Sequence, residues 1–347
     1  MKNHPGQAKS REHKRALITI ANALLFAWLV VFVLGCNRPA VPLITDYGAG
    51  NMDPTHVEAY GIIQDGLADA NPLVRINAVE VVGTTRQIRF MRSVQHLLDD
   101  KYVPVRFGAA LAIGDSQYAI AKTSISRALR DPDANVMIAA AYAMGRLGET
   151  EYFEVVRKAL RSEDQTVRAN AAFLLGRAGD PSVIGLLKQA QQDKGSADKV
   201  TFQLLEARAQ LGDEQVLPKL WAIVYSGRAD DRIMGVRAMG ALGTRKAREI
   251  LIAKLSDDIL EIRLAAAEQL GKLGDKTGEP EVLDVFEKKL TAGMDEQALE
   301  RTNTLTALAI GQICTPGLTK HLPKLMKDKS KSVRLAAAKA VFLCRMR

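Results

Sequence analysis

Ile262-Arg263-Leu264-Ala265-Ala266-Ala267-Glu268-Gln269-Leu270-Gly271-Lys272-Leu273-Gly274-Asp275 is a helical template, and the chain repeats it. With Ile262 as position zero, the equivalent openings are Val74, Val105, Val136, Val167, Val200, Asp231, Thr302 and Val333. In chain order the gaps between the nine openings are 31, 31, 31, 33, 31, 31, 40 and 31 residues. A fixed period in this range denotes stacked supersecondary units, none of which can bury its apolar face alone. Four residues after position zero stands Ala78, Ala109, Ala140, Ala171, Ala266 or Ala337. Eight residues after it stands Val82, Ile113, Met144, Leu175, Met239, Leu270, Ile310 or Val341. Positions 0, 4, 8 and 11 share one helix face, so the template predicts a buried stripe whose small centre lets helices approach closely.

Position nine is Gly83, Gly114, Gly145, Gly176, Ala209, Gly240, Gly271 and Gly311, and then Phe342 in the last copy. Glycine inside a helix costs about 1 kcal/mol relative to alanine, so close contact with the following unit has to compensate. On that logic Phe342, with no successor, reads as an end cap. A second amphipathic helix precedes each template, as in Glu151–Leu160, Pro181–Gln189, Lys246–Leu255 and Glu279–Leu290. Asp recurs five residues before position zero (Asp69, Asp100, Asp131, Asp257, Asp328). Arg follows position zero at Arg75, Arg106, Arg168, Arg232, Arg263 and Arg334. Such a pair can cap the helix start and stitch one unit to the next; a ligand-binding row of Arg is the alternative.

The strings Asp-x-x-x-x-Val-Arg-x-x-Ala-Ala-x-x-Leu-Gly, such as Asp257 to Gly271 and Asp328 onward, closely resemble HEAT-type repeats, in the short form also found in phycobilisome lyases. The resemblance covers residues 54–347. It implies an all-α fold, a right-handed α-solenoid of about nine two-helix units whose second helices line the concave face. As a signal of function it is weak.

The N-terminus differs from everything after it. Lys2, Lys9, Arg11, Lys14 and Arg15 precede a mostly apolar run from Ala16 to Gly35, ending Val33-Leu34-Gly35-Cys36. A basic segment, an apolar core and a small residue before the cut describe a secretory signal over residues 1–35. Cys36 resembles the lipidated first residue of a bacterial lipoprotein, although Leu34 is bulkier than usual at its place and the apolar run is long. An uncleaved anchor is the alternative, because about 20 apolar residues can span a bilayer. Both readings place the solenoid outside the cytoplasm, tethered to a membrane by palmitate-type acyl chains or by a helix. Residues 36–53, with Pro39, Pro42, Gly48 and Gly50, read as a flexible spacer.

Removing segment 1–35, with five basic residues and one acidic, lowers the net charge from +9 to +5. Residues 317–347 carry nine Lys/Arg against Asp328 alone. A basic end of this kind, with Lys320, Lys324, Lys327, Lys329 and Lys331, could meet anionic lipid, an acidic partner or a polymer, or could simply solvate the terminus of an open stack. Nucleic acid is not expected as a partner in that compartment.

No catalytic motif is present: there is no nucleophile elbow, P-loop or dinucleotide fingerprint, and the glycines follow the structural period. His56, His96 and His321 are scattered without metal-ligand spacing, so neither a metal nor another cofactor is expected. Cys314 and Cys344 sit near the ends of the eighth and ninth templates; an oxidising compartment would permit a bridge, but with helices of adjacent units about 10 Å apart buried free thiols are the preferred reading. The remaining candidates lie six residues after position zero, where Leu111, Tyr142 and Phe173 recur at one period. Four residues beyond these stand Asp115, Arg146 and Arg177. An apolar-aromatic row edged by two Arg has the composition of a binding hot spot; packing between helices is the competing reading. Copy five carries Arg208 on the apolar stripe, and the long gap through 291–301 suggests an extended helix or loop. Together these features predict a tethered extracytoplasmic scaffold that binds another protein through the concave face of copies two to five, not an enzyme. The alternatives are a lyase-like or enzyme-accessory protein holding a small ligand in the groove, and an envelope structural protein engaging lipid or polymer through its basic end.

Overall fold

Both helices of the first unit open where a short polar side chain and a proline set the first turn. Asp53 and Asn71 accept the backbone N–H groups of Thr55 (3.1 Å) and Leu73 (2.9 Å), with Pro54 and Pro72 in the first turns. The computed structural model describes residues 53–193 and 195–346. The segment 1–35, lipidation at Cys36 and all of the spacer but Asp53 lie outside the described residues.

Nine two-helix units follow one another among the described residues. They pair α1 (Pro54–Leu67) with α2 (Pro72–Thr85), α3 (Met91–His96) with α4 (Val103–Asp115), and α5 (Lys122–Ala128) with α6 (Ala134–Arg146). Next come α7 (Phe153–Ala159) with α8 (Gln165–Ala178), α9 (Ile184–Gln191) with α10 (Asp198–Gln210), and α11 (Leu217–Val224) with α12 (Ala229–Leu242). Then α13 (Arg245–Lys254) pairs with α14 (Leu260–Lys272), and α15 (Glu279–Glu287) with α16 (Glu296–Ile313). Unit nine has a first helix split into α17 (Pro316–Thr319) and α18 (Leu322–Leu325), before α19 (Lys331–Arg345). No strand occurs among the described residues, and the fold is an all-α solenoid. Four of the nine extra residues in the 40-residue gap lengthen α16, which begins six residues before Thr302 where the other second helices begin two residues before position zero, and the connection 288–295 before it is lengthened too.

Second helices pack on second helices from unit to unit, and the position-nine glycines mark where they touch. A Cβ on Gly176 would stand 2.7 Å from Ala207 Cα, and one on Gly311 2.7 Å from Ala340 Cα. The following unit thus presses against each glycine, with its backbone at Gly83, Gly114, Gly176, Gly271 and Gly311 and with the side chain of Phe153 or Gln269 at Gly145 and Gly240. Twelve residues after position zero the chain turns through the left-handed region in eight successive units, at Arg86, Gln117, Gly148, Gly179, Gly212, Gly243, Gly274 and Cys314. This residue ends the second helix and re-aims the chain toward the next unit.

The Asp/Arg pairs do stitch the stack. Arg75 donates to Asp100 (2.8 Å), Arg106 to Asp131 (2.7 Å) and Arg232 to Asp257 (2.9 Å), each partner lying one unit on. Each of these Asp residues also accepts a backbone N–H two residues on, from Tyr102, Asp133 or Ile259, and so fixes the turn before the next second helix. Burial raises the Asp131 carboxyl, but the donors of Arg106 and Asp133 outweigh it and hold it below the ordinary range.

Two sequence expectations fail at the C-terminal end. Phe342 is not a cap facing away from the stack, because the stack closes on itself: α19 packs against both α1 and α2. Phe342 is 2% exposed, with its ring 4.8 Å from that of Tyr60 and 5.9 Å from that of His56. Lys339 donates to Glu80 at 2.7 Å across the seam, and Lys331 to Asp69. The seam therefore extends the stitching, with Asp69 of unit one serving the last unit as Asp100 serves the first. The second failure concerns the thiols: Cys314 and Cys344 form a disulfide, with Cα atoms 5.2 Å apart. The interhelical spacing misleads here because Cys314 occupies the left-handed position after α16, not an equivalent site within a helix. The bond closes a loop of thirty residues. Its loss in a Cys314→Ser/Cys344→Ser variant is expected to cost about 2–4 kcal/mol, read from urea unfolding, with a thiol titration of denatured protein showing no free pair before reduction.

Candidate functional site

The predicted docking row is not a surface. Leu111 and Tyr142 are completely buried and Phe173 is 4% exposed. Tyr142 Oη donates to Asp115 (2.6 Å), which also receives Arg177 Nε (2.8 Å) from two units further on. Only a concave face brings positions of units two and four together in this way. The Tyr142 ring also packs edge-on against Phe153, with centroids 6.3 Å apart. Burial and the Asp115 charge push the phenol well above its ordinary range, so Tyr142 stays a donor. Burial pulls the Arg177 guanidinium down, and the Asp115 charge more than offsets it. Of the two edging Arg residues, one is thus committed to holding the fold. Arg146 is half-buried, and its Nε finds no acceptor.

Further round the concave side, position six carries charge in place of apolar bulk: Glu206 on α10, Arg237 on α12 and Glu268 on α14, each 31 residues from the next. Glu206 accepts a bond from Gln203 Nε2 (2.8 Å), and burial raises its carboxyl above the ordinary range. Burial lowers the Arg237 guanidinium, against the opposing pull of Glu268 and Glu206. Among the described residues Arg237 makes neither an ion pair nor a hydrogen bond, and the buried Oε2 of Glu268 has no partner. The result is an acid-base-acid series held in one arc and left under-compensated. In the sequence this series is hidden among ordinary charged helix positions; the alternation of sign at the repeat period is its available signal.

The other candidates resolve into structure or surface. Arg208, anomalous on its stripe, donates to Asp213 (2.9 Å) and to Gln191, so its own charge is paired. At the basic end Lys320, Lys324, Lys327 and Lys329 are exposed, while Lys331 is engaged at the seam. His321 stacks on Phe286 with centroids 3.8 Å apart, and burial with Lys320 and Lys324 beside it lowers its imidazole. A cavity of about 600 Å³ opens where α14, α16 and α19 end, lined by Lys272, Lys276, Ile313 and the disulfide. Among the described residues no group of three or more His, Cys, Asp or Glu side chains is placed to hold a metal, and no helix is long and apolar enough to cross a membrane.

The pattern of HEAT repeats matches residues 92–163, 153–234 and 222–302, together more than half of the 347 residues. The chain belongs to the HEAT repeat family. No curated protein matches it in sequence. Among solved structures this HEAT-repeat protein is similar to the complex of CpcE and CpcF of phycocyanin lyase from Nostoc sp. PCC7120, at 18% identity and a TM-score of 0.41, over 73% of this chain and 94% of that one. It is also similar to human deoxyhypusine hydroxylase in complex with glycerol, at 19% identity and a TM-score of 0.37, over 77% and 99% of the two chains. HEAT repeats make a scaffold-like fold, compatible with binding other proteins.

Proposed function

We propose that this HEAT-repeat protein is a membrane-tethered, extracytoplasmic scaffold that captures a protein partner on the concave face of units five to seven. The tether is Cys36, read as a lipidated residue behind a secretory signal. The observation that carries the docking position is Arg237, a half-buried guanidinium without an ion pair, set between Glu206 and Glu268. Charge held this way is costly until a partner compensates it. A peptide segment offering one carboxylate flanked by basic or amide donors would pair with Arg237 and with both acids. The row in units two to four, by contrast, supports the wall of that surface from within.

In-cell photocrosslinking with the probe at position 203, and a control probe at the exposed Lys246, tests the reading. One dominant protein adduct is expected at 203 and none at 246. Arg237→Glu is expected to reduce the adduct about tenfold or more, since a desolvated charge pair contributes several kcal/mol to binding, with the circular dichroism melt unchanged. An adduct that survives Arg237→Glu places the docking surface elsewhere. The cavity beside Lys272 and Lys276 favours a small-ligand role as the second reading, which a bound chromophore or anion in purified protein would support.

A further inference from the structure

Among the large apolar side chains that remain exposed, Trp221 on α11 and Tyr225, the residue that ends it, form a pair one turn apart. Trp221 is 52% exposed and Tyr225 48%, and their rings lie 4.9 Å apart at 43°. Lys254 Nζ, at the end of α13, sits 3.9 Å from the Tyr225 ring centroid and draws the two first helices together. Ile252, two residues before it, is 40% exposed. The exposed side chains of Lys219, Arg228, Arg245 and Lys246 belong to the same two helices and the turns beside them; Arg228 pairs with Asp231 (3.8 Å) and Arg245 with Glu249 (2.9 Å), while Lys219 and Lys246 have no ion-pair partner among the described residues. Nothing in the fold needs an exposed Trp–Tyr pair: Leu220 and Val224 on the other side of α11 supply its core contacts.

We propose that this face docks on an anionic bilayer surface, with Trp221 and Tyr225 seated at headgroup level. The inference rests on the tethered reading given above. Trp and Tyr favour the membrane–water interface because an apolar ring is joined to a polar N–H or O–H group. Lys219 and Lys246, the rim cations without an acid partner among the described residues, add attraction to anionic headgroups, of about 1 kcal/mol per residue near the surface. The pair belongs to the end of α11, a first helix, whereas the charged series Glu206, Arg237 and Glu268 lies on second helices, so it suits shallow insertion into headgroups. The chain between Cys36 and α1 runs through residues 37–53, and seventeen residues extend to at most about 60 Å. That reach lets the solenoid lie on its own membrane with this face down, leaving the concave face open to a partner.

The sequence contains two tryptophans, Trp28 and Trp221, so Trp28→Phe leaves Trp221 as the sole fluorophore whether or not the signal is cleaved. The full chain carrying that change is reconstituted with vesicles of phosphatidylcholine and phosphatidylglycerol, with or without bromine on the acyl chains near the headgroup. Flotation and fluorescence are read on the same sample. Floating protein whose Trp221 emission falls by about half or more in brominated vesicles is the expected result, as befits a residue at headgroup depth. Arg228→Glu/Arg245→Glu/Lys246→Glu is expected to reduce the quenching while flotation persists. Floating protein with unquenched, iodide-accessible Trp221 overturns the docking and leaves the tether standing; a face turned toward a protein partner would give this result. Protein that fails to float overturns the tether and the docking together.

Discussion

Lys339→Ala is expected to cost about 3–5 kcal/mol of stability, because it leaves Glu80 buried without its partner. The two side chains are 10% and 7% exposed, and Glu80 also accepts from the Thr84 hydroxyl, at 2.8 Å, with the Arg177 charge in its field. In the Lys339→Ala/Glu80→Ala double variant both charges are gone, and most of the loss is expected to return. Urea unfolding of the four proteins gives the coupling energy directly. The effect should also have a direction along the chain. An open solenoid frays from its ends, since each terminal unit has one neighbour. In the closed stack α1 and α19 neighbour each other, so their amides should exchange as slowly as those of α6 or α8. In Lys339→Ala the seam helices should exchange first while units three to seven keep their protection. Uniform loss of protection would mean that the seam does not set the order of unfolding.

The repeat was legible because its signals are local and periodic. The Ala and Gly of the second helix, and the Asp and Arg of the stitching, recur at a spacing that any nine copies reveal. Closure was illegible for the opposite reason. Lys339 and Glu80 are 259 residues apart, Lys331 and Asp69 are 262 apart, and neither pair departs from the surface chemistry of a helix. Phe342 was correctly marked as unlike its counterparts, but the inference assumed that the last unit faces solvent. The disulfide was missed through register: Cys314 lies twelve residues after Thr302 and Cys344 eleven after Val333, so the two are not equivalent positions. The left-handed backbone at Cys314, with φ of 55°, is not visible at a residue other than glycine. The docking row failed on a subtler point. The register six residues after position zero pointed to Tyr142 and Phe173 as groove residues, but a face that curves tightly buries its apolar members and leaves its charges available.

Asp115→Ala tests that last distinction and is the second large effect. Asp115 holds Tyr142 of unit three and Arg177 of unit four, so its removal leaves a buried guanidinium and a buried hydroxyl without their shared acceptor. A loss of about 3–5 kcal/mol is expected, most of it from the guanidinium. Tyr142→Phe removes one hydroxyl from the same network and keeps the ring against Phe153, so it should cost only about 1 kcal/mol. Asp115→Asn is expected to fall between them, since a carboxamide still accepts from Tyr142 but brings no charge to Arg177. This order, measured by urea unfolding, follows from a clip that holds units two to four. A docking row would behave otherwise: all three variants would keep wild-type stability, and partner capture alone would fall. Stability lost in that order, with the crosslink at position 203 retained in Tyr142→Phe, would separate the part of the concave face that builds the surface from the part that presents it.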